Sequence, residues 1–198
     1  AGWTWRIQLR NVSRSTLAVD VLHAQDLGLA DEAAVRNNEA YISQYLDLLP
    51  VADPTLGWLI LARQNEAMAG GHHPWLAVGC ATGAGAFCTD GWQFFGDDHR
   101  VSGAPVALRA PSLPSRRLQY ECAVAGLQSR GVELAPDAAV EITFCASYLA
   151  DHPAVSDAED ADRIRALIAA RWDRGPRRTR KSPGGSTSLF THAAWLHG

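Results

Sequence analysis

No Cys-x-x-Cys pair occurs in this sequence. Its four cysteines, Cys80, Cys88, Cys122 and Cys145, stand apart among small or apolar residues. Reduced, mostly buried thiols are therefore expected, rather than a disulfide framework or a metal site. An excess of charge is also missing. A net charge of −3 offers no basic surface for neutralising phosphates, which argues against a nucleic-acid partner. No apolar run approaches the roughly 20 residues of a membrane span, so no direct membrane contact is expected. The glycine-rich run at 81–86 lacks the G-x-x-x-x-G-K-[ST] pattern of a phosphate loop. No fixed-period repeat points to a propeller or solenoid. No secretory leader is visible either. Ala1 opens directly in strand-like sequence, and the chain reads as a fragment of a larger protein.

What is present suits a soluble globule of one or at most two domains. The chain has 198 residues, 47% of them hydrophobic and 20% charged. A chain of that size buries roughly 70% of its unfolded surface and needs no covalent staples. Asn11-Val12-Ser13 matches a glycosylation sequon, but the match means little without a secretion signal.

Strand signals dominate. Residues 3–10 alternate, with Trp3, Trp5, Ile7 and Leu9 against Thr4, Arg6, Gln8 and Arg10, as in a half-buried antiparallel strand. After a polar turn, residues 17–24 form a second strand, and the two are expected to pair as a hairpin. Asp31 is placed to cap a helical turn over 31–36. Residues 48–57 carry Pro50 and Pro54 and read as a loop. The runs 58–62 and 75–80 are apolar throughout, the mark of strands covered on both faces. Residues 118–127 read as a strand with Leu118, Tyr120, Cys122 and Val124 on one face. In residues 139–149, Val140, Ile142, Phe144, Ala146 and Tyr148 point inward. Acids at the start and arginines at the end of 157–172 suit a helix, with Ile164, Leu167, Ile168 and Trp172 on its apolar face. The expected organisation is a β-sandwich at 1–150, the late helix at 151–173, and a basic linker with an apolar tail at 174–198. Seven or eight short strands with turn chemistry between them argue for a mainly β, antiparallel β-sandwich.

The richest stretch runs from Asn37 to Asp47. Read as a strand, it places Tyr41, Ser43, Tyr45 and Asp47 on one face and Ala40, Ile42, Gln44 and Leu46 on the other. A polar-aromatic row of this kind suits a sugar, because pyranose C–H faces lie on aromatic rings and hydroxyls need planar donors and acceptors. A half-exposed strand or short helix with ordinary polar residues is the plainer alternative.

Four motifs occur together: Gln25-Asp26-Leu27-Gly28-Leu29-Ala30, Asn38-Glu39-Ala40-Tyr41 with Ser43-Gln44-Tyr45-Leu46-Asp47, Arg63-Gln64-Asn65, and Thr89-Asp90-Gly91 with Gln93-Phe94-Phe95-Gly96. In that order they resemble the N-terminal β-sandwich domain of the cellobiose-phosphorylase-like inverting β-glucan phosphorylases. The 1,2-β-oligoglucan phosphorylases stand nearest, and the phosphorylase-like region of cyclic β-1,2-glucan synthases second. The resemblance covers most of residues 3–150. It implies a galactose-mutarotase-like super-sandwich whose opening strands precede Ala1. It also implies a separate (α/α) barrel that carries the catalytic aspartate. That acid protonates the glycosidic oxygen while inorganic phosphate, the co-substrate, attacks the anomeric carbon from the opposite face. No other cofactor and no catalytic residue is expected in this chain. The implied partners are a β-glucan oligosaccharide, the barrel of the same polypeptide and a second copy in a homodimer. The implied location is cytoplasmic, or membrane-associated if the parent is a cyclic glucan synthase.

Each candidate residue carries two readings. Tyr41 and Tyr45 stack on glucose rings or pack across strands. Asn38, Glu39, Gln44, Asp47 and Asp90 bind sugar hydroxyls or cap loop backbone. Arg63, Gln64 and Asn65 bind sugar or phosphate, or tie loops to the sheet. Trp92, beside Asp90, is the ligand-facing candidate among the seven tryptophans. His72, His73 and His99 are metal ligands, or sit in water as histidines of a glycine loop usually do. A free-standing carbohydrate-binding module and a purely structural or dimerisation domain remain alternatives to the accessory domain.

Overall fold

A computed structural model describes residues 1–97, 99–118 and 122–170. The first strands are β1 (Gly2–Arg10), β2 (Leu17–Val19) and β3 (Leu22–Asp26), followed by helix α1 (Glu32–Gln44). Then come β4 (Leu46–Asp53), β5 (Gly57–Gln64), β6 (Trp75–Cys80) and β7 (Ala84–Asp90). Two short helices, α2 (Gly91–Phe95) and α3 (His99–Ser102), lead to a 3-10 turn at Val106–Leu108. The described chain closes with β8 (Ala123–Ser129), β9 (Val132–Leu134), β10 (Ala139–Leu149) and α4 (Asp162–Ala169).

The chain is mainly β. Eight strands form one curled sheet in the order β1-β10-β6-β5-β7-β8-β3, with β4 on β5, while β2 and β9 pair apart. The curl turns at a single parallel bridge, Gly57 to Ala84. There the Ala84 N–H donates to the Leu56 carbonyl at 2.8 Å. Gly57 sits at φ +71°, and a Cβ on it would meet the Ala84 oxygen at 1.9 Å. Only glycine takes both that conformation and that approach.

The curl makes two layers, and alternation decides what each face buries. Between the layers lie Leu46, Leu48, Ile60, Leu76, Val78, Ile142 and Phe144 from one side, with Phe87, Ala123, Ala125 and Leu127 from the other. Trp3, Trp5, Ile7 and Leu9 pack against this core. The opposite face of β5, β6 and β10 carries Leu59, Leu61, Trp75, Ala77 and Cys145, covered by Ile164 and Ala161. Thus the strands read as apolar throughout are sandwiched between the second layer and α4. Burial pushes the Cys145 thiol up to about 12. Cys80, Cys88 and Cys145 are buried and Cys122 is exposed. Outside the second layer, Phe94 of α2, Ala107 of the 3-10 turn and Leu113 beyond it pack on Ala86 and Cys88.

Several expectations change. Residues 37–44 are helical, not a strand, and α1 runs well beyond the turn expected at 31–36. Asp31 is the N-cap residue, yet its side chain makes no capping bond. Strands β1 and 17–24 do not form a hairpin. β1 pairs with β10, and the second run splits into β2, paired with β9, and β3, paired with β8. The cause is Asn11, whose buried amide donates to Ser15 and Leu134, both at 2.8 Å. That sends the chain across to residues 132–138, and it also occupies the sequon nitrogen. Residues 46–53 are a strand despite Pro50, which lies opposite Ile60 on a strand that pairs with β5 alone. Proline is tolerated there because no ladder partner needs its missing N–H. Leu118 precedes β8 rather than belonging to it. Tyr120, Trp172 and the expected linker and tail lie outside the described residues.

Candidate functional site

The four motifs converge on one end of the sandwich. β5 and β7 are parallel, so Arg63, Gln64, Asn65 and Asp90 all lie at carboxyl ends that point the same way. β4 and β8 run antiparallel to those strands and start at the same end, which brings Asp47 opposite Arg63. β3 pairs with β8 and ends there too, carrying the chain into Leu27 and Gly28. Side chains tie the pieces together. Ser43 Oγ accepts from the Ala123 N–H at 3.3 Å, and Ala123 faces Asp90. Arg117 Nη2 donates to Asp47 Oδ1 at 2.6 Å.

Local chemistry sets the tyrosine pair. Asn38 leaves helical geometry, at φ −160° and ψ 79°, and kinks α1. Its Oδ1 accepts the Tyr41 N–H at 3.1 Å, so it acts as a cap for the second half of the helix. That half buries Ile42 and Ser43 and turns Tyr41 outward, 45% exposed. Tyr45, one turn on, lies with its ring centroid 4.9 Å from that of Tyr41. A hydroxyl bond to Tyr45 raises the Tyr41 phenol above its ordinary range. Glu39 and Gln44 are exposed on the same half-helix.

Arg63, Gln64 and Asn65 form a framework behind this surface. Arg63 is buried. It donates through Nε to His152 O at 2.7 Å, through Nη2 to Pro153 O at 3.0 Å, and through Nη1 to Asn65 Oδ1. Gln64 is fully buried. Its amide donates to Gly28 O and Ile42 O, each at 3.3 Å, and its Oε1 accepts from Glu66 N at 3.0 Å. Gln64 therefore joins three of the four motifs. His152 itself stacks on Trp75 at 5.3 Å and contacts Asp160 through Nε2 at 2.9 Å.

Asp90 and Trp92 mark the far side. Asp90 is buried, and Oδ2 accepts the Gln93 N–H at 3.1 Å as the cap of α2. Its Oδ1 is buried without a hydrogen-bond partner among the described residues, a costly state for a carboxylate oxygen. Trp92 follows immediately and is 58% exposed. The site thus presents the exposed rings of Tyr41 and Trp92 and the half-buried ring of Tyr45, with Asn38, Glu39 and Gln44 exposed on α1. That composition suits hydroxyl-rich rings.

The sequence reading did not single out Ser43, Arg117 or His152. Ser43 sits inside a named motif, and its helical position is what shows its role. Arg117 and His152 carry no sequence pattern, since only tertiary contacts join them to the site. Among the described residues no group of three or more His, Cys, Asp or Glu is placed to hold a metal ion. No helix among them is long and apolar enough to cross a membrane.

Comparison with known proteins places this arrangement. Over 113 residues the chain is 40% identical to a 1,2-beta-oligoglucan phosphorylase of Listeria innocua serovar 6a (strain ATCC BAA-680 / CLIP 11262). The match takes in 57% of the chain and 10% of that relative, so the chain spans only a small part of its length. Residues 1–145 match the SOGP N-terminal domain. With more than half of its length so matched, the chain belongs to the SOGP N-terminal domain family.

Proposed function

We propose that this chain is a non-catalytic accessory domain of a β-1,2-glucan phosphorylase, framing the glucan site from one side. The observation that carries this is the convergence of the motif residues at one end of the sandwich. Tyr41 and Trp92 meet solvent there, with Tyr45 half-buried beside Tyr41, while Arg63 and Gln64 are committed behind them. In this reading Tyr41, Tyr45 and Trp92 stack on glucose units. Asn38, Glu39, Gln44 and Asp47 meet hydroxyls, buried Asp90 holds α2 and Trp92 in place as its cap, and Arg63, Gln64 and Asn65 hold the backbone that positions them. Inversion at the anomeric carbon, with inorganic phosphate as co-substrate and no other cofactor, belongs to a barrel of the same polypeptide. The parent would be cytoplasmic. The same domain in a cyclic β-1,2-glucan synthase would face the same polymer.

An interface role is favoured by a second observation. Trp92 and, in the segment that follows it, Val101, Val106 and Leu108 are exposed apolar residues, and exposed apolar side chains that form a patch mark contact surfaces. The barrel or a second copy would cover them.

Kinetics in the polypeptide that carries this domain tests the proposal. Tyr41→Ala and Trp92→Ala are expected to raise KM for β-1,2-gluco-oligosaccharides about tenfold each, with kcat little changed, because lost ground-state binding moves KM alone. Phosphate-dependent release of glucose 1-phosphate by this chain alone would overturn the non-catalytic reading.

A further inference from the structure

A cleft of about 350 Å³ opens at the same end of the sandwich, lined by Leu29, Asp31, Met68, His72, Pro74 and Tyr148 among others. Of the motif residues, Leu29 and Ala30, which close the first motif, line it, and none of the candidate sugar-binding side chains does. It and the tyrosine pair flank one loop: Asn65 N donates to Tyr45 O, and Met68 and His72 bond to each other further along the loop.

Three features set the chemistry of this cleft. Its floor is apolar with one phenol, from Leu29, Met68, Pro74 and Tyr148. At its rim Asp31 holds the N-cap position of α1 without using its carboxylate to cap, so both carboxylate oxygens remain available to hydroxyl donors. Opposite, His72 Nδ1 leans on Asp151 Oδ2 at 3.7 Å, and Asp151 also accepts the His73 N–H at 2.9 Å. That backbone bond and the nearby His72 hold the Asp151 carboxyl below its usual range. Leu29 lies at φ +47°, a left-handed conformation that side-chain-bearing residues rarely adopt and that gathers at binding sites.

We infer that this cleft is a second subsite for a glucose unit of a β-glucan, with its C–H face on Tyr148 and Leu29 and adjacent hydroxyls on Asp31 and His72. A carboxylate takes a vicinal diol through two oxygens, an aromatic ring takes the apolar face, and the volume falls in the range of small-ligand sites. The inference rests on the reading of this domain as one that faces a glucan, and places a further glucose unit across the loop from Tyr41.

Met68 is the single methionine, so methyl-labelled methionine gives one NMR signal from inside the cleft. The chain is titrated with millimolar β-1,2-linked glucobiose, following this methyl and the Trp92 indole, the latter assigned by its loss in Trp92→Phe. The Met68 signal is expected to shift saturably, with mannitol at equal concentration leaving it in place. Asp31→Asn, which removes no capping bond, is expected to weaken the response about tenfold, the loss of one charged hydrogen bond. A silent Met68 beside a responding Trp92 overturns the subsite and leaves the accessory reading standing. Silence at both reporters overturns both. An Asp31→Asn response as tight as that of the unaltered chain also overturns the subsite.

Discussion

His23 shows how a single polar residue is held inside this sandwich. Its ring lies 4.4 Å from Trp5 and stacks 5.0 Å from Phe144. Its Nε2 is buried without a hydrogen-bond partner among the described residues, and burial lowers its pKa. The folded state therefore binds the proton less readily than the unfolded chain. Stability is full above the unfolded value of about 6.5 and falls as pH drops through that value toward the folded one. Chemical denaturation from about pH 7 to about pH 5 is expected to show this loss, and His23→Phe is expected to flatten it. An equal slope in the variant would place the proton uptake elsewhere. Asn38 is the other decisive residue. Its side chain ends one half-helix and starts the next, and a strand reading of the sequence had no means of finding it. Positions 41 and 45, like 42 and 46, are four apart, a spacing that strand and helix periods both place on one face. The aromatic pair was therefore legible as a pair, while its element was not.

At the scale of elements, legibility followed burial. β5 and β6 announced themselves because both faces are covered, one by the second layer and one by α4. β1 and β10 showed through the alternation of Trp3, Trp5, Ile142 and Phe144. β4 was hidden by Pro50, whose edge position the sequence does not reveal, and β2 and β9 are too short to show a period. Pairing was the least legible, since Asn11 redirects the chain through bonds to a segment more than a hundred residues away. Two glycines fix how the elements meet. Gly57→Ala drives a Cβ into the Ala84 carbonyl at a left-handed φ and is expected to destabilise by at least about 2 kcal/mol. A midpoint unchanged in urea would mean that the curl does not depend on that bridge. Gly79 faces Ile164, and a Cβ there would sit 2.8 Å from the Ile164 side chain. Asp157 starts the closing helical segment with a capping box, accepting from Glu159 N at 2.8 Å. Asp157→Ala is expected to lose about 1 kcal/mol in the same denaturation experiment.

Over the whole molecule, one end of the sandwich gathers what the sequence scattered over residues 25–96. The framework of Gln64 and Arg63 is buried, the rings of Tyr41 and Trp92 are exposed, and the cleft at Asp31 lies across a shared loop. This division between a fixed scaffold and an open aromatic surface suits half of a site, completed by something that covers it. The most direct measurement is calorimetric titration of the chain with short β-1,2-glucans, with and without phosphate, beside light scattering for its mass. The expected result is weak binding, with Kd on the order of 1 mM, indifferent to phosphate and lost in Tyr41→Ala and Trp92→Ala. Micromolar binding by a monomer would contradict it and make the chain a self-sufficient binding module. No heat at millimolar glucan from a stable dimer would contradict it in the other direction, and leave the exposed rings as an interface alone.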